Sequence, residues 1–203
     1  MQTERIILDP NRTVLGVIDI QNEFVKRGGR LYSENDRPRI TRMISKTAQL
    51  LQRCRDLGVR IIFVQSIRAP DAPQFKVFGI FQRLLEGTWN AEIIDELRPT
   101  SGEPMVKKRS HDCFIDPIMD KTLERMRVEP LRDTVILVGG SISTCLYHAW
   151  MGFRERYYQV VIPTDCTYGP RDGIDFVRCQ ANDEAYRYNS RITESGNISF
   201  EEN

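Results

Sequence analysis

Histidine is almost missing from this chain: His111 and His148 are the two in 203 residues. So sparse a supply excludes a histidine-rich metal centre. The cysteines, Cys54, Cys113, Cys145, Cys166 and Cys179, are odd in number and form no CxxC pair. That excludes a fully paired disulfide framework and argues against structural zinc. Neither sign of charge prevails, with 29 basic and 28 acidic residues, so there is no electrostatic footprint for nucleic acid or a membrane surface. No apolar run approaches the roughly 18 residues of a membrane span, and the opening MQTERIILDPNRT lacks the apolar core of a signal peptide. The expected partner is a small-molecule substrate, with no nucleic acid and no membrane, and the expected address is cytoplasmic.

What is present is ordinary globular material, 40% hydrophobic and 28% charged, enough for one substantial core and one domain over residues 1–203. Thr13 to Ile20 (TVLGVIDI) and Val59 to Gln65 (VRIIFVQ) read as buried parallel strands, β-branched and apolar on both faces. Between them Ile40, Met43, Ile44, Thr47, Leu50, Leu51, Cys54 and Leu57 recur at helical steps, with Gly58 as the stop. Pro104 to Lys108, Thr134 to Gly139 and Gln159 to Pro163 read as further strands. Thr144 to Tyr157 and Ile174 to Tyr188 read as helices. This alternation predicts an α/β fold, an open, doubly wound, mostly parallel sheet with helices on both faces. Ala69 to Gly102 is too long for a plain connection and is expected to shape or cover a site. Ser195 to Asn203 reads as an exposed or oligomer-contacting tail.

In such sheets the site lies beyond the carboxyl ends of the strands, where strand order reverses. Three polar residues stand at strand ends: Asp19 after the first, Lys107 or Lys108 closing the third, and Cys145 after the fourth, where GGSISTC leads into a helix. Each has an ordinary structural explanation as well: a loop cap for Asp19, a solvated corner for the lysines, core packing for the cysteine. Helix N-terminal N–H groups beside Cys145 favour a thiolate.

The segments VLGVIDIQNEFV, MVKKRSHDCF and VILVGGSISTCLYHAWMGFRERYYQVVIPTDCTYG resemble, in order and separation, the three blocks of the isochorismatase-like cysteine hydrolases. The resemblance implies a catalytic triad on Asp19, Lys108 and Cys145, with Lys108 preferred to Lys107 because Phe114 follows it by six residues. It implies a cis peptide between Gly140 and Ser141, and an oxyanion hole from the N–H groups of Ser141 and Cys145. The implied reaction is hydrolysis of the C–N bond of a small amide, ureido or carbamoyl compound through a thioester, without a cofactor, in a homodimer or homotetramer. Relatives that bind a metal carry an aspartate and histidines after the second strand; FVQSIRAPDAPQF has no histidine, so no metal is expected and the nicotinamidase branch is disfavoured. The HDCF and SIST stretches depart from the family pattern and loosen the substrate inference. They also keep open a catalytically silent binding or scaffold protein; the other alternative is a vinyl ether hydrolase, the reaction of isochorismatases proper, which need no cysteine at this position, so Cys145 points instead to acyl transfer. Phe24 and His111, by position, and Gln21, Arg68, Trp89 and Tyr147, by chemistry, are candidate substrate-binding residues. A cysteine–histidine pair using His111 or His148 as base is the competing mechanism. Asp165 and Cys166 read as structural support.

Overall fold

A computed structural model describes residues 5–79, 82–183 and 187–201. In chain order its strands are β1 (Ile6–Leu8), β2 (Thr13–Ile18), β3 (Arg60–Ser66), β4 (Met105–Lys108), β5 (Thr134–Gly140), β6 (Gln159–Pro163), β7 (Thr167–Tyr168), β8 (Ser190–Thr193) and β9 (Ile198–Phe200). Its helices are α1 (Asn22–Val25), α2 (Arg37–Asp56), α3 (Pro73–Lys76), α4 (Ile118–Arg125), α5 (Cys145–Glu155) and α6 (Arg171–Asn182), joined by short 3-10 turns. The main sheet runs β4-β3-β2-β5-β6-β8, all parallel, with the short β7 also on β5.

Alternate residues of the central strands enter two cores, as period-two side chains on a doubly covered sheet must. Leu15, Val17, Phe63, Ile136 and Val138 face the α2 side. Val14, Val64, Val106, Val135 and Leu137 face α4, α5 and α6. The apolar stripe of α2 buries Ile40, Met43, Leu50 and Leu51, each such burial being worth roughly 1.5–3 kcal/mol before chain entropy is counted. Gly58 ends that helix region at φ 70°, a conformation glycine adopts without steric cost. Leu57, by contrast, is exposed.

Several expectations need correction. The first strand stops at Ile18 because Asp19 turns left-handed at φ 50°. The last helix runs from Arg171 to Asn182 and not to Tyr188; residues 184–186 lie outside the described residues. Ser195 to Asn203 is not simply an exposed tail: Ile198 is buried, and β9 pairs in parallel with β1, Ile6 opposite Ile198. Asp165 accepts from the Ser195 N–H (2.7 Å) and hydroxyl (2.6 Å), tying β6 to the turn before β9. Among the described residues no helix is long and apolar enough to cross a membrane.

Candidate active site

Strand order reverses between β2 and β5, and the polar strand ends meet there. The parallel register sets Ser66 of β3 beside Lys108 of β4. Asp19, bent out of line by its left-handed backbone, turns its carboxylate toward both. Lys108 Nζ lies 2.8 Å from Asp19 Oδ2, and the Ser66 hydroxyl donates to the same oxygen at 3.0 Å. Asp19 Oδ1 is buried and unpaired with any N–H or O–H of the described residues. Lys108 Nζ also donates to the carbonyls of Ser110 (3.0 Å) and His111 (3.1 Å). Period-two alternation sends Lys107 the other way, to Glu86 at the surface.

On the opposite side β5 ends in Gly139 and Gly140. Gly139 has φ 103°, and a Cβ there would stand 2.1 Å from the Ile18 carbonyl oxygen, so only glycine lets β5 pass this close to β2. The peptide between Gly140 and Ser141 is cis. The Ser141 carbonyl accepts from the N–H groups of Thr144 and Leu146, both at 3.0 Å. Cys145 opens α5, so its own N–H belongs to the first turn, which has no intrahelical acceptor.

Cys145 is buried, and its thiol is pushed up to about 11. Burial is the main cause and the Asp19 carboxylate, by charge and hydrogen bonding, the next; Lys108 works against both. The helix-end effect expected to favour a thiolate is thus outweighed, and the resting group is a thiol beside a carboxylate. Burial works to lower the pKa of Lys108, but the Asp19 carboxylate and Cys145 outweigh it and hold it above the usual lysine value.

A cavity of about 520 Å³ opens onto Cys145. Ser66, His111, Ser141 and Thr144 supply its polar lining, and Phe24, Leu31, Phe75, Leu84 and Tyr168 its apolar lining. Arg39, Arg68, Arg83 and Asp36 supply charge. Gln74, Phe75, Arg83 and Leu84 all come from the long segment expected to shape a site. Of the candidate substrate-binding residues, Phe24, His111 and Arg68 line the cavity, whereas Gln21, Trp89 and Tyr147 do not. Gln21 is fully buried and braces the main chain, donating to the Ser66 (2.8 Å) and Ala91 (2.7 Å) carbonyls and accepting from the Ser66 N–H. Trp89 is about half exposed, its ring toward Gly28. Tyr147 packs edge-on against Trp150 and tilted on Phe176. Sequence reasoning missed Arg39 and Arg83, which reach the cavity from distant elements, and Tyr168, whose hydroxyl donates to the Asp19 carbonyl at 2.8 Å. Among the described residues no cluster of three His, Cys, Asp or Glu side chains is disposed to hold a metal ion.

A second register fixes the site from behind. Phe114, six residues after Lys108, lies over Gly152 of α5, where a Cβ would meet its ring at 2.2 Å. Phe153 packs edge-on at 4.9 Å between centroids, and the Arg156 guanidinium stands 3.9 Å from the ring centre. The lysine-to-phenylalanine spacing therefore has a mechanical meaning: it seats the end of β4 on the helix that begins with Cys145.

Ureidoacrylate amidohydrolase RutB of Stutzerimonas stutzeri is 26% identical over 179 residues, covering 78% of this chain and 71% of that protein. The protein of the same name from Rhizobium rhizogenes is 26% identical over 196 residues, covering 86% and 77%. N-carbamoylsarcosine amidase from Thermoplasma acidophilum superimposes with a TM-score of 0.73 at 22% identity, covering 91% of this chain and 96% of that one, which speaks to the fold. The family model described as the isochorismatase domain matches residues 13–174, and with the sheet order and site geometry above, the chain belongs to the isochorismatase domain family.

Proposed function

We propose that this protein is a cysteine-dependent amidohydrolase that cleaves the C–N bond of a small amide, ureido or carbamoyl compound through a thioester on Cys145. The observation that carries the reading is the convergence of Asp19, Lys108 and Cys145 from three strand ends beside one cavity. The names of the relatives at 26% identity, amidohydrolases both, support the same bond class.

Asp19 takes the thiol proton as Sγ attacks the substrate carbonyl, and Lys108 steadies the anionic charge. The tetrahedral oxygen is met by the N–H groups of Ser141 and Cys145, each donor of this kind being worth roughly 3–4 kcal/mol. Asp19 then passes its proton to the departing nitrogen, releasing ammonia or an amine and leaving the thioester, which water hydrolyses. The three arginines that line the cavity favour a substrate with an anionic end.

Ammonia release across ureides, carbamoyl amino acids and carboxamides, with Cys145→Ala as the blank, tests class and substrate together. Mass spectrometry of protein quenched during turnover is expected to find the acyl adduct on the Cys145 peptide. Full turnover by Cys145→Ala would end this reading.

A further inference from the structure

The only two histidines of the sequence, 37 residues apart, stack on each other beside the nucleophile, with ring centroids 6.0 Å apart and planes 29° from parallel. His111 Nδ1 lies 3.3 Å from Cys145 Sγ. Neither position is left to chance. The main chain at residues 110 and 111 is pinned by Lys108 through two carbonyls, and the Thr144 carbonyl accepts from His148 Nδ1 at 2.8 Å. Two bases therefore flank one sulfur, and they differ in access: Asp19 is 0% exposed, whereas His111 is open to solvent along the cavity.

Resting on the proposed thioester chemistry, we infer that the two half-reactions use different bases, with Asp19 serving the thiol and His111 serving the water that hydrolyses the thioester. The water oxygen bonds to the thioester carbonyl carbon while its proton moves to His111 Nδ1. The C–S bond then breaks, the electron pair returns to Sγ, and the same proton passes across the 3.3 Å gap to regenerate the thiol and neutral imidazole. Asp19, having given its proton to the leaving nitrogen, takes no part. The groups facing His111 suit this role. Burial lowers its pKa, Lys108, Arg68 and His148 lower it further, and Asp19 opposes them, so the ring is a free base at neutral pH.

Stopped-flow with 4-nitrophenyl acetate separates the halves, because the good leaving group makes acylation undemanding. In His111→Gln the burst, one equivalent of nitrophenolate on Cys145, is expected to keep its size and rate while the later steady rate falls roughly a hundredfold or more. Hydroxylamine, which attacks without a base, restores turnover as hydroxamate. The wild-type steady rate has an acid limb below the ordinary histidine value, and the variant lacks it. An unchanged steady rate in His111→Gln, or burst and steady phases that fall together, overturns the inference. A burst that persists in Cys145→Ala removes the thioester reading itself and this inference with it.

Discussion

Lys108 Nζ and Asp19 Oδ2 form an ion pair at 2.8 Å whose two side chains are 2% and 0% exposed. A pair so enclosed is costly to break from one side, because the survivor is left as an uncompensated buried charge; losses of about 3–5 kcal/mol are typical. Lys108→Met is therefore expected to lose stability on that scale together with activity. Adding Asp19→Asn to it should return part of the stability and none of the activity. The neighbouring Lys107→Met, which removes an exposed, solvent-screened pair with Glu86, is expected to leave the urea midpoint close to that of the wild type. Urea denaturation of the four proteins checks this, and equal losses for the two lysines would contradict it.

Cys145 carries the opposite sign of prediction. Its thiol sits at about 11 through burial and the Asp19 carboxylate, and only the thiolate alkylates. In a Cys179→Ser background, which removes the exposed cysteine, iodoacetamide labelling of Cys145 is expected to rise about tenfold per unit between about pH 7 and pH 9. Asp19→Asn removes a charge that holds the thiol protonated, so its labelling at fixed pH should be faster than wild type even as amide turnover disappears. Labelling that is flat with pH, or slowed by Asp19→Asn, would show that the carboxylate does not act on the thiol.

The contact of Phe114 with Gly152 makes the helix face a gauge of site geometry. Gly152→Ala gains helix propensity of about 1 kcal/mol but drives a Cβ into a ring already held by Phe153 and Arg156. Overpacking of this kind costs roughly 1–3 kcal/mol. The expected result is a lower urea midpoint and a lower kcat, both partly rescued by Phe114→Leu. Independent, additive effects of the two substitutions would deny the coupling.

The site was legible where strand ends carried unusual residues. Asp19 interrupts an apolar run, a double lysine closes a short strand, and Cys145 stands five residues beyond two glycines, so elementary sheet topology drew these positions together, while only the resemblance to the family chose Lys108 over Lys107 and gave the three their roles. Less legible were features whose cause lies elsewhere in the chain. β8 reads SRIT, too polar and short to announce a strand, and exists because β6 offers it an open edge. β1 and β9 each have three residues and make a strand only with each other. Arg39 and Arg83 give no local sign of facing a cavity, since their side chains are placed by α2 and by the long segment after β3. Trp89 and Tyr147 have the chemistry of a pocket wall and lie outside it, because aromatic character records burial preference and not direction.

The parallel pairing of β1 with β9 also bears on the order of events in synthesis. At roughly 5–20 residues per second, a ribosome spends on the order of ten to forty seconds between Ile6 and its partner Ile198. Throughout that interval Ile6 and Leu8 have no strand to join. The central sheet can assemble around β2, β3 and β5 while they wait, so the clasp is a late event in the life of the nascent chain.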